Sequence, residues 1–454
     1  MKLTVRNIIE ASLGKYYGDE KILDKEVAGV VIDSREVEED YLFIPIKGEK
    51  VDGHKFIPDV FKKGALLVLT EYELDNPGGA YVLVDSTEAA MKKIAAFYRR
   101  NLDIKVVGIT GSVGKTSTKE MIASVLEQKY CVHKTAGNYN NEIGLPLTIF
   151  KIRDKHQVAV LEMGISDFGE MHRLAEMAYP DVMVITNIGY CHLEFLGDRD
   201  GVLRAKTESF EHMAENGVAI LNGDDDELIT KTIVNGRQPV FYGIDQDNSV
   251  YATDIVNSGF EGMKARINTP KGSFDAKISI PGEHNVYNAL AATAVGLQLG
   301  LGLDQIKTGI ESAQTIAGRT NFIKKNDIIV IDDCYNANPV SMKTALEVLS
   351  HAKGRSIAVL GDMGELGKDE LELHWEVGLA VGENHIDALF CTGRRAMQYA
   401  KAAAEVDKKC RVAYCENKEI MIKKIKDFVK PGDTILVKAS HFMEYSDVVK
   451  ALTE

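Results

Sequence analysis

The chain has 454 residues, 45% of them hydrophobic, and 54 Lys plus Arg against 67 Asp plus Glu give a formal charge of −13. That length provides for two to four domains with cores of their own and excludes a disordered chain. The acidic total, without a dense Lys/Arg stretch, excludes a nucleic-acid binder, and no apolar run approaches the roughly 18–20 residues of a membrane span.

The N-terminus, Met1-Lys2-Leu3-Thr4-Val5-Arg6-Asn7, lacks a signal segment, so a cytoplasmic protein is expected. Strands are expected at 27–32, 41–46, 65–70 and 80–84, forming a small α/β unit over 1–100. A helix over 86–100 then leads to the strand Lys105-Val106-Val107-Gly108-Ile109-Thr110. From 101 to 317 the apolar runs 157–163, 181–187 and 217–221 alternate with helical stretches, which predicts a mostly parallel sheet covered on both faces. Period-2 alternation between 249 and 280, around Pro270-Lys271-Gly272, adds an antiparallel hairpin. An alanine-rich helix follows from 285 to 299. After Gly318-Arg319 the alternation restarts, with strands at 328–331, 356–360, 388–391 and 434–437 and helices at 342–352 and 395–406, predicting a third, Rossmann-like α/β unit over 318–454. It carries no G-x-G-x-x-G. Cys131, Cys191, Cys334, Cys391, Cys410 and Cys415 are scattered and support neither a disulfide framework nor a zinc site.

The strongest chemical signal is Thr110-Gly111-Ser112-Val113-Gly114-Lys115-Thr116-Ser117 between an apolar strand and a helix. Glycines there let backbone N–H groups and the helix N-terminus curl around phosphates. Lys115 supplies a point charge to the β/γ oxygens and Thr116 a hydroxyl to Mg²⁺. A strict phosphate loop would have Gly at 109, where this chain has Ile. Glu162, Asn187 and His192 close two further strands at the same sheet edge, where open α/β sheets bind ligands. By composition alone, Lys206 reads as a solvated helix cation. The amide-rich run Gly137-Asn138-Tyr139-Asn140-Asn141 and the turn Asp333-Cys334-Tyr335-Asn336-Ala337-Asn338-Pro339 offer donors and acceptors to sugar or peptide groups. The second run also reads as a helix cap.

Together these motifs resemble the Mur ligase family over essentially the whole chain, most closely its branch that adds D-alanyl-D-alanine. The T-G-x-x-G-K-T loop accounts for Ile109. The resemblance implies an ATP-dependent amide-bond ligase that joins D-alanyl-D-alanine to UDP-N-acetylmuramoyl-tripeptide through an acyl phosphate, in cytoplasmic peptidoglycan precursor synthesis. It implies two Mg²⁺ ions held by Thr116, Glu162, His192 and a carbamylated Lys206, with Lys115 catalytic beside them. It places Asn285 and, preferentially, Asn288 near adenine, Arg319 on the phosphates and Asp333 on the ribose. Ser34 and Arg35 are implied for the uridine diphosphate, Asn138, Asn140 and Asn141 for the muramyl-peptide, and Tyr335, Asn336 and Asn338 for the dipeptide or acyl phosphate. His441 stands where the family has an arginine. The units 1–100, 101–317 and 318–454 would bind UDP-muramyl substrate, ATP and the acceptor, in a monomer that closes on its substrates. Two other readings compete: a ligase that adds a single amino acid, of the folylpolyglutamate type for example, and a nucleotide-binding scaffold that forms no bond.

Overall fold

The computed structural model describes residues 3–48, 50–315 and 318–454; the unit boundary expected at 317 lies outside the described residues. The architecture is α/β throughout, built on three sheets. The first has five strands in the order Lys15–Tyr17, Ala80–Leu83, Leu67–Thr70, Leu42–Phe43, Val30–Val31. Only Lys15–Tyr17 is antiparallel to its neighbour. The four expected strands are present but shorter, and the short edge strand Lys15–Tyr17 and the helix Val5–Ser12 were not legible in the sequence. The helix Thr87–Arg100 starts where Ser86 accepts a hydrogen bond from the Ala89 N–H, and it buries Met91, Ile94, Ala95 and Tyr98 at helical spacing.

The second sheet has nine strands, in the order Gly272–Ile278, Met263–Thr269, Val250–Asn257, Val240–Gly243, Val218–Asn222, Val182–Ile185, Lys105–Thr110, Val158–Glu162, Val132–Lys134. Its seven strands from Val132–Lys134 to Val250–Asn257 are parallel. Beyond them the chain turns back twice, with Met263–Thr269 and Gly272–Ile278 forming the expected hairpin, closed by the pair Thr269 and Gly272. The strand order matters for function. Lys105–Thr110 lies between Val158–Glu162 and Val182–Ile185, so the three chain segments that leave their carboxyl ends emerge side by side. Helices Lys115–Leu126 and His284–Gln298 share the core on one face of this sheet.

The third sheet runs Asn321–Lys325, Ile328–Asp332, Thr434–Lys438, Ser356–Leu360, Ala388–Thr392, Arg411–Cys415, parallel except for the first strand. Asn326 and Asp327, both at positive φ, make the tight turn between the first two strands. Among the described residues no helix is long and apolar enough to cross a membrane.

Candidate active site

The loop after Lys105–Thr110 owes its shape to two glycines. Gly111 has φ +149 and a Cβ there would stand 1.9 Å from Thr186 Oγ1; Gly114 has φ +84 at the start of helix Lys115–Leu126. The neighbouring strand end braces the loop. Asn187 Oδ1 accepts from the Val113 N–H at 3.0 Å, while Asn187 Nδ2 and Thr186 Oγ1 both donate to the Val113 carbonyl. Ser112 Oγ accepts from the Gly189 N–H at 2.8 Å. Ser112 and Val113 therefore turn their amides toward protein, and the N–H groups of the first helical turn, at Lys115, Thr116 and Ser117, are left without an intrahelical partner, as a helix start that could receive an anion requires. Thr110 lies fully buried beneath them. Lys115 Nζ donates to the Gly111 carbonyl at 2.8 Å, and desolvation, with a smaller repulsion from Arg319, pushes its ammonium below the usual lysine range.

Glu162, 1% exposed, ends the adjacent strand. Its Oε1 accepts from Thr116 Oγ1 at 3.1 Å and Asn140 Nδ2 at 2.9 Å. Its Oε2 is buried without a hydrogen bond, 3.7 Å from Lys119 Nζ. A hydroxyl beside a carboxylate with an uncommitted oxygen is a hard donor set of the kind Mg²⁺ prefers. Lys119, also 1% exposed, donates to the Thr135 carbonyl at 2.7 Å, and the Glu162 N–H donates to Thr135 Oγ1. Sequence reasoning missed Lys119. Its signal was a lysine one helical turn beyond Lys115, on the side of the helix that it shares with the apolar Ile122 and Leu126.

Lys206 corrects the composition-based reading. It is 1% exposed on helix Arg199–Thr207, and among the described residues its Nζ has no hydrogen bond or ion pair. Burial, helped by repulsion from Lys115 and opposed by Cys191, brings its pKa down to about 8. His192 sits at φ +52 before the short helix Leu193–Leu196. Its Nδ1 is buried 2.6 Å from Glu365 Oε2 of the third sheet's loops, without the straight N–H alignment of a full hydrogen bond.

The third unit reaches the loop directly. Arg319 Nη2 lies 3.5 Å from Thr116 Oγ1, and its guanidinium stacks 4.0 Å over the Tyr335 ring, whose other neighbour is His441 at 5.7 Å between centroids. A cavity between the second and third units is lined by Ser117, Met121, His284, Asn285, Thr315 and Arg319. Asn288 stands behind Asn285, donating to its Oδ1 at 2.9 Å and accepting from Thr118 Oγ1 at 2.7 Å, so it ties the cavity wall to the phosphate-loop helix. Asp333 is buried with both oxygens engaged: Oδ2 accepts from Lys438 Nζ at 2.6 Å and Oδ1 from the Thr320 N–H at 3.0 Å.

Of the other expected contacts, Asn140 alone among the three amides reaches the reaction centre, through Glu162. Asn138 is exposed, and Asn141 Oδ1 accepts from the Ile143 and Gly144 N–H groups at the start of helix Gly144–Ile149. Asn338 is the N-cap of helix Pro339–Ser350, accepting from the Ser341 N–H at 2.9 Å, and Asn336 Oδ1 accepts from the Ala337 N–H. Ser34 and Arg35 follow the strand Val30–Val31. Arg35 is exposed and paired with Asp33, whose carboxyl it draws down to about 2.

Three family models match the chain: Mur ligase family, catalytic domain, over 26–106; Mur ligase middle domain, over 109–296; and Mur ligase, glutamate ligase domain, over 318–441. A UDP-N-acetylmuramoyl-tripeptide--D-alanyl-D-alanine ligase of Bacillus subtilis is 38% identical over 459 residues, which span 100% of this chain and 99% of the relative. A crystal structure of MurF from Acinetobacter baumannii superposes with TM-score 0.91 at 33% identity, covering 100% of this chain and 99% of that one. MurF ligase from Thermotoga maritima, in complex with ADP, gives TM-score 0.84 at 31% identity, covering 94% and 97%.

Proposed function

The chain belongs to the Mur ligase family, and from that premise we infer that it is the ATP-dependent ligase that joins D-alanyl-D-alanine to UDP-N-acetylmuramoyl-tripeptide in peptidoglycan precursor synthesis. The observation that carries the mechanism is the convergence of Lys115, Thr116 and Glu162 at one sheet edge with Arg319 of the third unit 3.5 Å from Thr116. A carboxylate is a poor acyl donor because its oxygen leaves badly and its charge repels a nucleophile. ATP corrects both: a tripeptide carboxylate oxygen bonds to the γ-phosphorus, ADP leaves, and an acyl phosphate forms. The amine of the dipeptide then bonds to the carbonyl carbon, the tetrahedral adduct expels phosphate, and the amine proton is lost.

The chain's part is positioning and charge neutralisation. Lys115 and Arg319 would meet the phosphoryl oxygens, and the first-turn N–H groups would orient them. Thr116 and Glu162 would hold one Mg²⁺, with His192 and Lys206, as a carbamate, holding a second; bound there, the ions neutralise the charge that develops on the transferring phosphoryl group. Lys206 suits that role because a buried amine without a partner is both accessible to CO₂ chemistry and relieved of an unfavourable charge by it. Asn285 and Asn288 would border adenine and Asp333 the ribose, Ser34 and Arg35 the uridine diphosphate, Asn138, Asn140 and Asn141 the muramyl-peptide, and Tyr335, Asn336 and Asn338 the acceptor. We take 1–100, 101–317 and 318–454 as the working units of a cytoplasmic monomer.

The test is phosphate release from ATP and Mg²⁺ with UDP-MurNAc-tripeptide, comparing D-alanyl-D-alanine, single amino acids and no amine, with product mass confirmed. Release and a matching mass only with the dipeptide is the expected result. Release with a single amino acid would transfer the chain to another branch of the family, and silence throughout would leave a nucleotide-binding scaffold.

A further inference from the structure

Across the seam between the second and third units, Glu365 meets His192. Both are non-glycine residues in the left-handed region, at φ 59 and 52. That conformation is costly for a residue with a Cβ and persists where the surroundings over-determine it, which is why it concentrates at working sites. The loop that carries Glu365 is held from below. The Gly364 N–H donates to Ser440 Oγ at 2.9 Å, the Met363 N–H to His374 Nε2 at 3.0 Å, and Asp362 Oδ1 accepts from the Arg395 and Ala396 N–H groups. On its outer side the loop lies along the chain next to His192: a Cβ on Gly367 would stand 3.6 Å from the Glu194 nitrogen.

We propose that Glu365 is a positioning residue for His192: its carboxylate keeps the imidazole proton on Nδ1 and leaves the Nε2 lone pair facing the cleft. The inference rests on the reading of His192 as a metal ligand. Nδ1 is buried against Oε2 at 2.6 Å while the side chain as a whole keeps 23% of its surface, so the accessible edge of the ring is the one away from Glu365. A carboxylate on the far nitrogen of a ligating histidine fixes its tautomer and orientation and raises its basicity. Here that carboxylate comes from a different unit than the histidine. Docking of the third unit and completion of the His192 site are therefore one event, and the site stays incomplete in any state in which the two units are apart.

The test uses the full chain with ¹⁵N-labelled histidine, bound to a non-hydrolysable ATP analogue, Mg²⁺ and UDP-MurNAc-tripeptide. Long-range ¹H–¹⁵N spectra report each ring's tautomer, and the His192→Gln variant assigns the resonance. The expected result is a proton on Nδ1 in the native chain and a mixture of tautomers in Glu365→Ala, with Glu365→Asp intermediate. Counting bound Mn²⁺ by electron paramagnetic resonance in the same complex should show the second ion weakened about 10–100-fold in Glu365→Ala and the first unchanged. kcat should fall by a like factor while KM for ATP stays within about 2-fold. A native His192 protonated on Nε2, or an unaltered tautomer in Glu365→Ala, overturns the proposal. If His192→Gln itself retains both Mn²⁺ ions, it is the ligand reading that falls, and the tautomer spectra still decide what Glu365 does.

Discussion

Replacing Lys206 separates a structural from a chemical use of a buried amine. Carbamate formation needs the neutral amine, and lowering the pKa from 10.5 to about 8 raises the neutral fraction at pH 7 from about 0.03% to about 9%, roughly 300-fold. The same displacement has a stability sign. Below about pH 8 the amine is protonated in both folded and unfolded chains and the folded state bears the whole penalty, about 3 kcal/mol. Between pH 8 and 10.5 only the unfolded chain keeps the proton, so stability rises with pH through that window. Lys206→Met should therefore raise the thermal midpoint at pH 7 and abolish ligation. Lys206→Ala should be equally inactive, and short carboxylates such as formate or acetate should restore part of its activity by standing in for the lost group. In the native chain, ¹³C-bicarbonate should give a carbamate resonance that is absent from both variants. Full ligation by Lys206→Ala, with no ¹³C signal from the native chain, would refute the reasoning.

Glu162→Gln should lower ligation at least about 100-fold and also lower the unfolding midpoint, because the buried Lys119 loses one of its two carboxylate partners; adding Lys119→Met should recover part of the stability but none of the activity, and simple additivity of the two would contradict the coupling. Gly111→Ala meets Thr186 Oγ1 at 1.9 Å and an unfavourable φ, so ADP affinity measured by calorimetry should weaken about 5–30-fold, a cost of about 1–2 kcal/mol; an affinity within 2-fold of native would show that the loop does not need this glycine. Asn338→Ala should cost about 1 kcal/mol through loss of the helix cap, with a raised KM for the dipeptide, and Asn338→Ser should restore the stability; a KM that stays raised in the serine variant would mean that Asn338 touches the substrate itself.

Several contiguous patterns reappear in the structure as expected. The phosphate loop is a contiguous strand, turn and helix, with glycines at the two positions where the backbone demands them, so it announces itself in eight residues. The hairpin around Pro270-Lys271-Gly272 and the helix His284–Gln298 follow equally from pattern and punctuation. The edge strands Val132–Lys134, Asn321–Lys325 and Arg411–Cys415 did not show, since three to five residues carry too little periodicity; the first and last also pair with strands some twenty residues or more away, whereas Asn321–Lys325 pairs across the tight turn at Asn326 and Asp327. The site followed the same division. Thr116, on the helix that follows strand Lys105–Thr110, meets Glu162, at the end of Val158–Glu162, because sheet order sets those two strands side by side, and the Mur resemblance supplied what pattern alone did not. Asn141 accepts from the Ile143 and Gly144 N–H groups and Asn338 caps the helix that begins at Pro339, local bonds that each makes besides the substrate contact expected of it.

By itself, then, the sequence determined the fold class, the phosphate loop and the family chemistry, because those depend on residues close together in the chain. Only the tertiary structure decided that Lys206 is buried without a hydrogen-bond partner among the described residues, that Lys119 stands behind Glu162, and that Glu365 meets His192. Burial and charge pairing of this kind are fixed by how separate units pack, and the partners of His192 and Glu162 lie on elements that no local pattern links.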